Sequence, residues 1–465
     1  TIFDSRLFTM NRCNFKGFYM RTLLFSALLF LAVFSGLAEA QLRLHGSNTV
    51  GEQLAPALVR AWLESGGYDQ ITVEQDAELE RLIIGRNAAG QERSVEIHAH
   101  GSSTSFRGMN SGIADIGMSS RRIRPTEIEQ LGFLGQLNEP KNEYVIGIDG
   151  LAVIAHPSNP IHTLSIEQTR AVFSGRIRNW RELGGNDASI NVYARDEQSG
   201  TWDSFESMVL QDEPLTQAQR FESSSELSDQ VAADPNGIGF IGLPYVRNAR
   251  ALAISTGGKP VLPERFSSAT EDYPLSRRLY IYVPDRQLND LGGKLAQFAI
   301  SRPGQAIVDE LGFVGQAIEL QRSAMPDLAP DEYRAFVGGA LRASLNFRFE
   351  AGRPVLDSKS ERDLDRLAEF MREPDLDDHR ILLMGFADPS ETMRYMSVTL
   401  SMDRVDYVAS LLAQRGVTVS RVRGFGDALT LADGTGPSSQ AKNRRVEVWV
   451  QAPPDRISDR NAGGI

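Results

Sequence analysis

Short apolar runs alternate with amphipathic segments between residues 41 and 322. Several runs have the length and the β-branched composition of strands. They are Leu42–His45, Ile71–Glu74, Val95–Ala99, Tyr144–Ala155, Ile190–Ala194, Gly239–Leu243 and Leu279–Val283. The segments between them show helical spacing, as with Leu54, Leu58, Ala61 and Trp62 or with Leu295, Phe298 and Ala299. This alternation predicts an α/β domain with mainly parallel strands, in two lobes.

A second α/β pattern lies nearer the end of the chain. Residues 323–343 are rich in Ala, Gly, Asp and Pro, which predicts a linker. Residues 344–451 then contain three strand patterns and two helical stripes, which predict a small α/β domain. The Pro-, Asp- and Gly-rich residues 452–465 predict a disordered tail.

Residues 20–40 have the pattern of a secretory signal peptide. Arg21 precedes an apolar run over 23–34, and Ala38 and Ala40 supply the small residues of a cleavage site before Gln41. The apolar run is shorter than the roughly 20 residues that a membrane-spanning helix needs. We therefore expect export, with residues 1–19 as upstream translated sequence.

Composition and charge narrow the classes of function. The chain has 49 Lys and Arg against 60 Asp and Glu, a net charge of −11, and loss of four basic and two acidic residues with 1–40 would make it −13. Such acidity disfavours general nucleic-acid binding. The one cysteine, Cys13, lies before the signal, so we expect no disulfide, no thiolate metal site and no lipid anchor. The six histidines do not fall at ligand spacing, so we expect no metal site and no cofactor.

Four segments of small polar residues follow predicted strands. They are Gly46–Val50, His100–Ser105, Gly117–Arg121 and Arg195–Thr201. Three of them lead directly into helical patterns, where free backbone N–H groups and the helix dipole favour an anion. Arg195 would add a full positive charge. The alternative is that these residues are ordinary helix caps.

These segments resemble the PstS-type phosphate-binding proteins, the periplasmic receptors of phosphate ABC transporters. The strings are G-S-N-T-V, H-G-S-S-T-S-F-R-G-M, G-I-A-D-I-G-M-S-S-R and R-D-E-Q-S-G-T-W-D-S-F, within 41–322. The resemblance implies a two-lobed fold that binds inorganic phosphate. The site residues it implies are Thr49, Val50, Ser102, Ser120, Arg195, Ser199, Gly200 and Thr201.

One departure from that family concerns phosphate protonation. Some members have an Asp that accepts the proton of phosphate where this chain has Ser120, and Asp115 is expected to be structural. Arg121, the next residue, would either add charge to the site or face solvent. Discrimination between phosphate and sulfate is therefore open.

An enzyme is the alternative to a binding protein. The sequence contains neither a G-x-S-x-G nucleophile elbow nor a G-x-x-x-x-G-K-[ST] phosphate loop. His45 and His100 precede two of the polar segments, where an imidazole could act as an acid–base group in a weak phosphatase. The residue types favour binding over catalysis.

Residues 344–451 resemble the OmpA C-terminal-like domain, a peptidoglycan-binding module. The strings are L-N-F-R-F-E, G-F-A-D, T-L-S-M-D-R-V-D-Y-V, V-R-G-F-G-D and K-N-R-R-V-E-V. The resemblance implies that Asp388 and Arg404 hold the charged ends of diaminopimelate in the stem peptide. Phe386, Ala387 and Ser397 depart from the usual motif, and a salt bridge between Asp388 and Arg404 at the surface is the alternative.

Together these features predict an exported protein of the periplasm that is associated with the cell wall. An additional association with the outer membrane is compatible with them. The protein would capture phosphate for an ABC transporter permease and be held to peptidoglycan by its second domain. The alternative is an envelope structural or sensing protein that binds phosphate without a transporter. No nucleic-acid partner is expected.

Overall fold

The structure is a computed structural model that describes residues 42–77, 79–197, 199–211, 213–323, 329–350, 355–432 and 437–453. The predicted signal peptide, its cleavage site, Cys13 and nearly all of the predicted tail lie outside these residues. Within them, no helix combines the length and apolar character that crossing a membrane requires.

The strands fall into a first group before residue 320 and a second group after it. The first group is β1 Leu42–Gly46, β2 Gln70–Ala77, β3 Glu80–Arg86, β4 Glu92–His98, β5 Ile116–Ser119, β6 Glu143–Ala155, β7 Thr163–Ser165, β8 Asn191–Arg195, β9 Gln219–Phe221, β10 Gly237–Gly242, β11 Arg250–Ala251, β12 Ala253–Ser255 and β13 Ser276–Tyr282. The second group is β14 Leu320–Gln321, β15 Leu341–Arg348, β16 Arg380–Gly385, β17 Val419–Gly424 and β18 Arg445–Gln451.

The α-helices cover the faces of these sheets. They are α1 Ala55–Ser65, α2 Ser102–Ser111, α3 Pro125–Gln130, α4 Ile166–Phe173, α5 Gly200–Phe205, α6 Ser224–Ala233, α7 Arg265–Ala269, α8 Leu291–Ile300, α9 Arg302–Glu310, α10 Asp331–Val337, α11 Ser358–Phe370, α12 Arg394–Gln414 and α13 Pro437–Asn443. Single π or 3₁₀ turns cover Val50–Leu54, Gly132–Leu134, Trp180–Leu183, Glu206–Leu210, Leu243–Tyr245, Asp285–Gln287 and Pro374–Leu376.

The first group of strands forms two lobes that share β6. The strand order is β2-β3-β4-β1-β5-β13-β6-β10-β8-β9. The first half of β6 pairs with β13, and its second half pairs with β10. One apolar core packs around β1, β4 and α1, and another packs around β8, β10 and α5. This is the two-lobed α/β architecture that the sequence predicts.

The prediction that the strands are mainly parallel is wrong, because the sheet mixes parallel and antiparallel pairs. Parallel pairs form the centre of each lobe, as between β1 and β4 or β8 and β10. Antiparallel pairs join β6 to β13, β13 to β5 and β2 to β3 to β4. The chain leaves one lobe along β6 and returns along β13, so these two strands are antiparallel. The apolar runs in the sequence do not reveal this pairing.

The second group of strands forms its own sheet in the order β14-β15-β18-β16-β17. Helices α11 and α12 cover it, and a third apolar core includes Phe347, Leu364, Val405 and Val448. The range predicted as a linker contains α10, and β14 pairs with β15 across it.

Buried ion pairs join the second unit, which is the sheet of β14 to β18 with its helices, to the first unit, which is the two lobes. Arg278 on β13 contacts both Glu271 and Asp357, the latter at 2.7 Å, with both side chains of that pair about one-tenth exposed. Asp272 pairs with Arg342 at 2.8 Å. Arg122 pairs with the fully buried Glu143 on β6 and also contacts Glu350 of the second unit at 2.7 Å. Removal of one partner would leave a buried charge unpaired, so these pairs stabilise the contact between the two units.

Asp357 tests this interface, because its carboxylate also caps α11 by accepting from the N–H of Ser360 at 2.8 Å. Burial raises its pKa, but the charges of Arg278 and Arg122 and the N–H of Ser360 together outweigh burial, and the pKa falls from 3.8 to about 2. We expect Asp357→Asn, which can still cap, to lower the free energy of unfolding by about 3 kcal/mol at pH 7.

A depressed pKa stabilises the fold above the unfolded value, and this contribution is lost as the pH falls. The difference between the parent and Asp357→Asn, measured by urea titration, should therefore shrink between pH 4 and pH 2. The control is Asp187→Asn, which removes an exposed pair with Arg181 and should change stability by less than about 1 kcal/mol. A difference that stays constant with pH would contradict the role of the charge.

Candidate functional site

Three of the four polar segments meet because their strands are neighbours. The strands β4, β1 and β5 are adjacent and parallel, so their carboxyl ends lie at one edge of the sheet. The loop after each strand carries one segment. The fourth segment follows β8, which belongs to the second lobe. The predicted residues therefore lie on both sides of the junction between the lobes.

The first loop needs glycine at its start. Gly46 has a φ of 147°, and a Cβ there would lie 1.8 Å from the carbonyl oxygen of Met118. This close approach lets the N–H of Ser47 donate to that oxygen at 3.0 Å. The chain then turns into the helix, which places Thr49 at the junction. Val50 has a fully buried side chain, so only its backbone can face a ligand.

Thr49 joins the two lobes. Its Oγ1 donates to the carbonyl oxygen of Gly200 at 3.1 Å. A Cβ on Gly200 would lie 2.6 Å from the Cα of Thr49, so only glycine permits this contact. The first and fourth segments are thus brought together, as the sequence predicts for residues of one site.

Ser102 and Ser120 form a second pair at the same edge. Their hydroxyl oxygens are 3.2 Å apart, and the N–H of Ser120 donates to Ser102 Oγ at 3.0 Å. Ser102 begins α2, where its N–H has no earlier carbonyl in the helix. The second and third segments therefore place two hydroxyls and a helix start side by side.

Arg195 stands at the end of β8 and is held within the second lobe. Its guanidinium donates to the carbonyl oxygens of Phe221 at 3.2 Å and Glu222 at 2.8 Å, and also to Ser224 Oγ. Its Nη1 lies 3.5 Å from Thr201 Oγ1. Burial lowers the pKa of Arg195, and the charge of Glu52 acts in the opposite direction.

Ser199 serves as the cap of α5. Its Oγ accepts from the N–H of Trp202 at 3.0 Å. The alternative reading of the polar segments as helix caps is therefore correct for this hydroxyl, although the N–H groups of Gly200 and Thr201 still begin the helix. We expect the backbone, more than the Ser199 side chain, to serve as donor here.

Arg277 on β13 is the site residue that the sequence analysis missed. Its Nη2 donates to Thr49 Oγ1 at 2.6 Å and to the carbonyl oxygen of Gly200 at 3.2 Å. Its Nε lies 3.3 Å from Asp149 Oδ2, the side chain opposite it on β6. Burial lowers the pKa of Arg277, while the charge of Asp149 raises it. A second guanidinium therefore lies at the contact between the two lobes.

Arg121, at the end of the third segment, and Asp115, two residues before its start, have structural partners. Arg121 forms a bidentate pair with Glu127, at 2.8 and 2.7 Å, and stacks on Phe106. It therefore neither faces solvent freely nor adds an unpaired charge to the site. Asp115 pairs with Arg43 at 3.0 Å, which confirms its structural role.

The expectation that the histidines do not cluster is wrong. His45 stacks on His98 with ring centroids 4.4 Å apart, and His98 lies 6.1 Å from His100. Burial and the neighbouring His98 lower the pKa of His45 to about 4. The clustering arises from pairing of β1 with β4 and of β4 with β3, a strand that the apolar pattern did not predict.

In the second unit, Asp388 and Arg404 are both buried and do not pair with each other. Asp388 accepts from Asn443 at 2.8 Å and from the N–H of Ser390 at 2.9 Å. Arg404 forms a bidentate pair with Glu391 at 2.8 and 2.6 Å. The alternative of a surface salt bridge between Asp388 and Arg404 is therefore wrong.

Comparisons with known proteins agree with both units. The PBP superfamily domain matches residues 80–303, and the OmpA family matches residues 348–444. The phosphate-binding protein PstS of Borreliella burgdorferi is 28% identical over 51% of this chain and 85% of its own. PstS of Pseudomonas aeruginosa is 27% identical over 50% of this chain and 78% of its own.

Among solved structures, an ABC-type phosphate transport receptor from Vibrio cholerae covers 59% of this chain and 99% of its own. It is 23% identical, with a TM-score of 0.46. By sequence, the first part of the chain therefore matches the PBP superfamily domain and is similar to the PstS proteins, and the second part matches the OmpA family.

Proposed function

We propose that the first unit binds inorganic phosphate between its lobes and that the function is binding rather than catalysis. The relatives named PstS support phosphate as the ligand, because the match to this chain covers most of the length of each relative. The observation that carries the proposal is the contact of Thr49 with Gly200 beneath Arg277, where donors of both lobes meet.

The chemistry of these donors suits a tetrahedral oxyanion. Thr49, Ser102 and Ser120 supply hydroxyls, and the starts of α2 and α5 supply N–H groups. The guanidiniums of Arg195 and Arg277 supply positive charge that the acidic surface of the chain does not. On binding, the Thr49 hydroxyl and Arg277 would exchange their contacts with Gly200 for contacts with the anion.

We further propose that the bound phosphate is delivered to an ABC transporter permease. The support is the homology to proteins of phosphate transport, and the setting is the periplasm. A co-purification with permease subunits encoded beside this protein would test delivery separately from binding.

The second unit is proposed to bind the diaminopimelate stem peptide of peptidoglycan through Asp388 and Arg404. Its support is the OmpA family match over residues 348–444. In the structure Glu391 occupies the guanidinium of Arg404, as a ligand carboxylate would. Glu391 must therefore leave Arg404, or be bridged to the ligand, when a stem peptide binds.

Substitution of the two arginines tests phosphate binding. Arg195→Ala and Arg277→Ala should each weaken phosphate binding by about 2–5 kcal/mol, because each removes a partly buried charge-assisted donor at the junction of the lobes. Isothermal titration with phosphate measures the effect, and sulfate serves as the competing anion. Arg181→Ala removes an exposed arginine of the same lobe and should leave the affinity unchanged.

If both arginine variants fold normally and bind phosphate as the parent does, the site is misassigned. A loss in Arg195→Ala alone would restrict the site to the predicted segments and remove Arg277 from it.

Substitutions of Arg404 and Asp388 test peptidoglycan binding. Arg404→Ala and Asp388→Ala should abolish sedimentation with purified peptidoglycan, because a zwitterionic ligand end needs both charges. Glu391→Gln should increase the bound fraction, since it frees the guanidinium without removing it. The control is Asp403→Asn, an exposed residue beside Arg404 in the sequence.

Sedimentation that is unchanged in Arg404→Ala would contradict the wall-binding site. Phosphate titration of the same variant should remain normal, which distinguishes failure of this site from failure of the first.

A further inference from the structure

One face of the sheet in the first lobe carries a group of imidazole and carboxylate side chains, none of which is among the proposed phosphate ligands. The group consists of His45, Glu80, Glu96, His98 and His100. Strand pairing sets His98 directly opposite His45 on β1 and opposite Glu80 on β3. Glu96 lies two residues before His98 on β4 and therefore shares its face of the sheet. His100 lies in the loop after β4 and joins the group through its contact with Glu80.

Three potential ligand atoms converge within this group. Glu80 Oε1 lies 3.2 Å from His98 Nδ1 and 2.8 Å from His100 Nε2. All three atoms lie within 4.8 Å of one another. In a tetrahedral zinc site, with ligands about 2.0–2.2 Å from the ion, neighbouring ligand atoms are about 3.3 Å apart. The two distances from Glu80 Oε1 lie within about 0.5 Å of that spacing.

We propose that Glu80, His98 and His100 form a binding site for a divalent transition-metal ion, with Zn²⁺ as the ion that fits it best. Two imidazoles and one carboxylate are a ligand set that suits zinc. Mg²⁺ prefers oxygen ligands and retains its water, so this set would not select it.

Glu96 supports the ligand role of His98. Its carboxylate contacts Nε2 of His98, the ring nitrogen that faces away from Glu80. Metal-bound histidines commonly donate their other N–H to a carboxylate, which fixes the tautomer and the ring orientation. The stacked ring of His45 further limits rotation of His98.

The site is open to solvent on one side. The side chain of His98 is 20% exposed, that of Glu80 33% and that of His100 44%. An ion can therefore enter without unfolding the sheet, and a fourth coordination position remains for water. The ion would tie β3 to the loop between β4 and α2.

Titration of the full mature protein with ZnCl₂ in phosphate-free buffer, after treatment with a chelator, tests the proposal. We expect one Zn²⁺ per chain in this site, with affinity at least about tenfold lower in Glu80→Gln and in His100→Gln. Both residues are partly exposed, so these variants should fold, which circular dichroism checks. Mg²⁺ should give no binding.

The matched control is His162→Gln, which removes a histidine away from the group and should leave the Zn²⁺ affinity unchanged. Co²⁺ in place of Zn²⁺ should give visible absorption that Glu80→Gln and His100→Gln abolish. Absence of Zn²⁺ binding, or equal affinity in the parent and both variants, would overturn the proposal and leave a cluster of hydrogen bonds only.

Discussion

The cross-strand pair of Arg277 with Asp149 is the interaction on which the first unit depends. It lies on β13 and β6, the strands that pass between the lobes. Both side chains are nearly buried, so neither charge could remain without the other. The pair directs the guanidinium toward Thr49 and Gly200, and the junction of the lobes is therefore a place of fixed positive charge.

This arrangement explains how an acidic chain can have a site for an anion. Surface charges are screened by salt within about 10 Å, whereas buried donors act at contact distance. The proposed site relies on hydroxyls, helix starts and two guanidiniums, one of which is paired with Asp149. We therefore expect capture to depend on fit and on hydrogen bonds, with little long-range attraction.

The sequence was sufficient to predict the α/β class, the two lobes and most strands, because their cores are continuous apolar runs. It also singled out Thr49, Gly200, Ser102 and Ser120, which the structure brings into contact in two pairs, since small polar residues after strands have a clear local pattern. Arg277 escaped because it lies inside a strand and belongs to no motif. Its role follows only from the pairing of β13 with β6, which is a long-range property.

The histidine group escaped for a related reason. His45 and His98 are far apart in the sequence and meet only because β1 pairs with β4. Glu80 is on β3, a strand whose polar start hides its pattern. Likewise, nothing in the sequence around Arg404 indicates that Glu391 occupies its guanidinium, because that contact depends on the turn before α12.

Two adjacent arginines on β13 have opposite destinations. Arg277 points to the junction of the lobes, and Arg278 points to Asp357 in the second unit. A slip of β13 by one residue would exchange the two faces and leave both guanidiniums without their carboxylates. The correct register of β13 is therefore stabilised by two carboxylates, one within the lobes and one nearly eighty residues further along the chain. The second unit thus helps to set the register of a strand in the first.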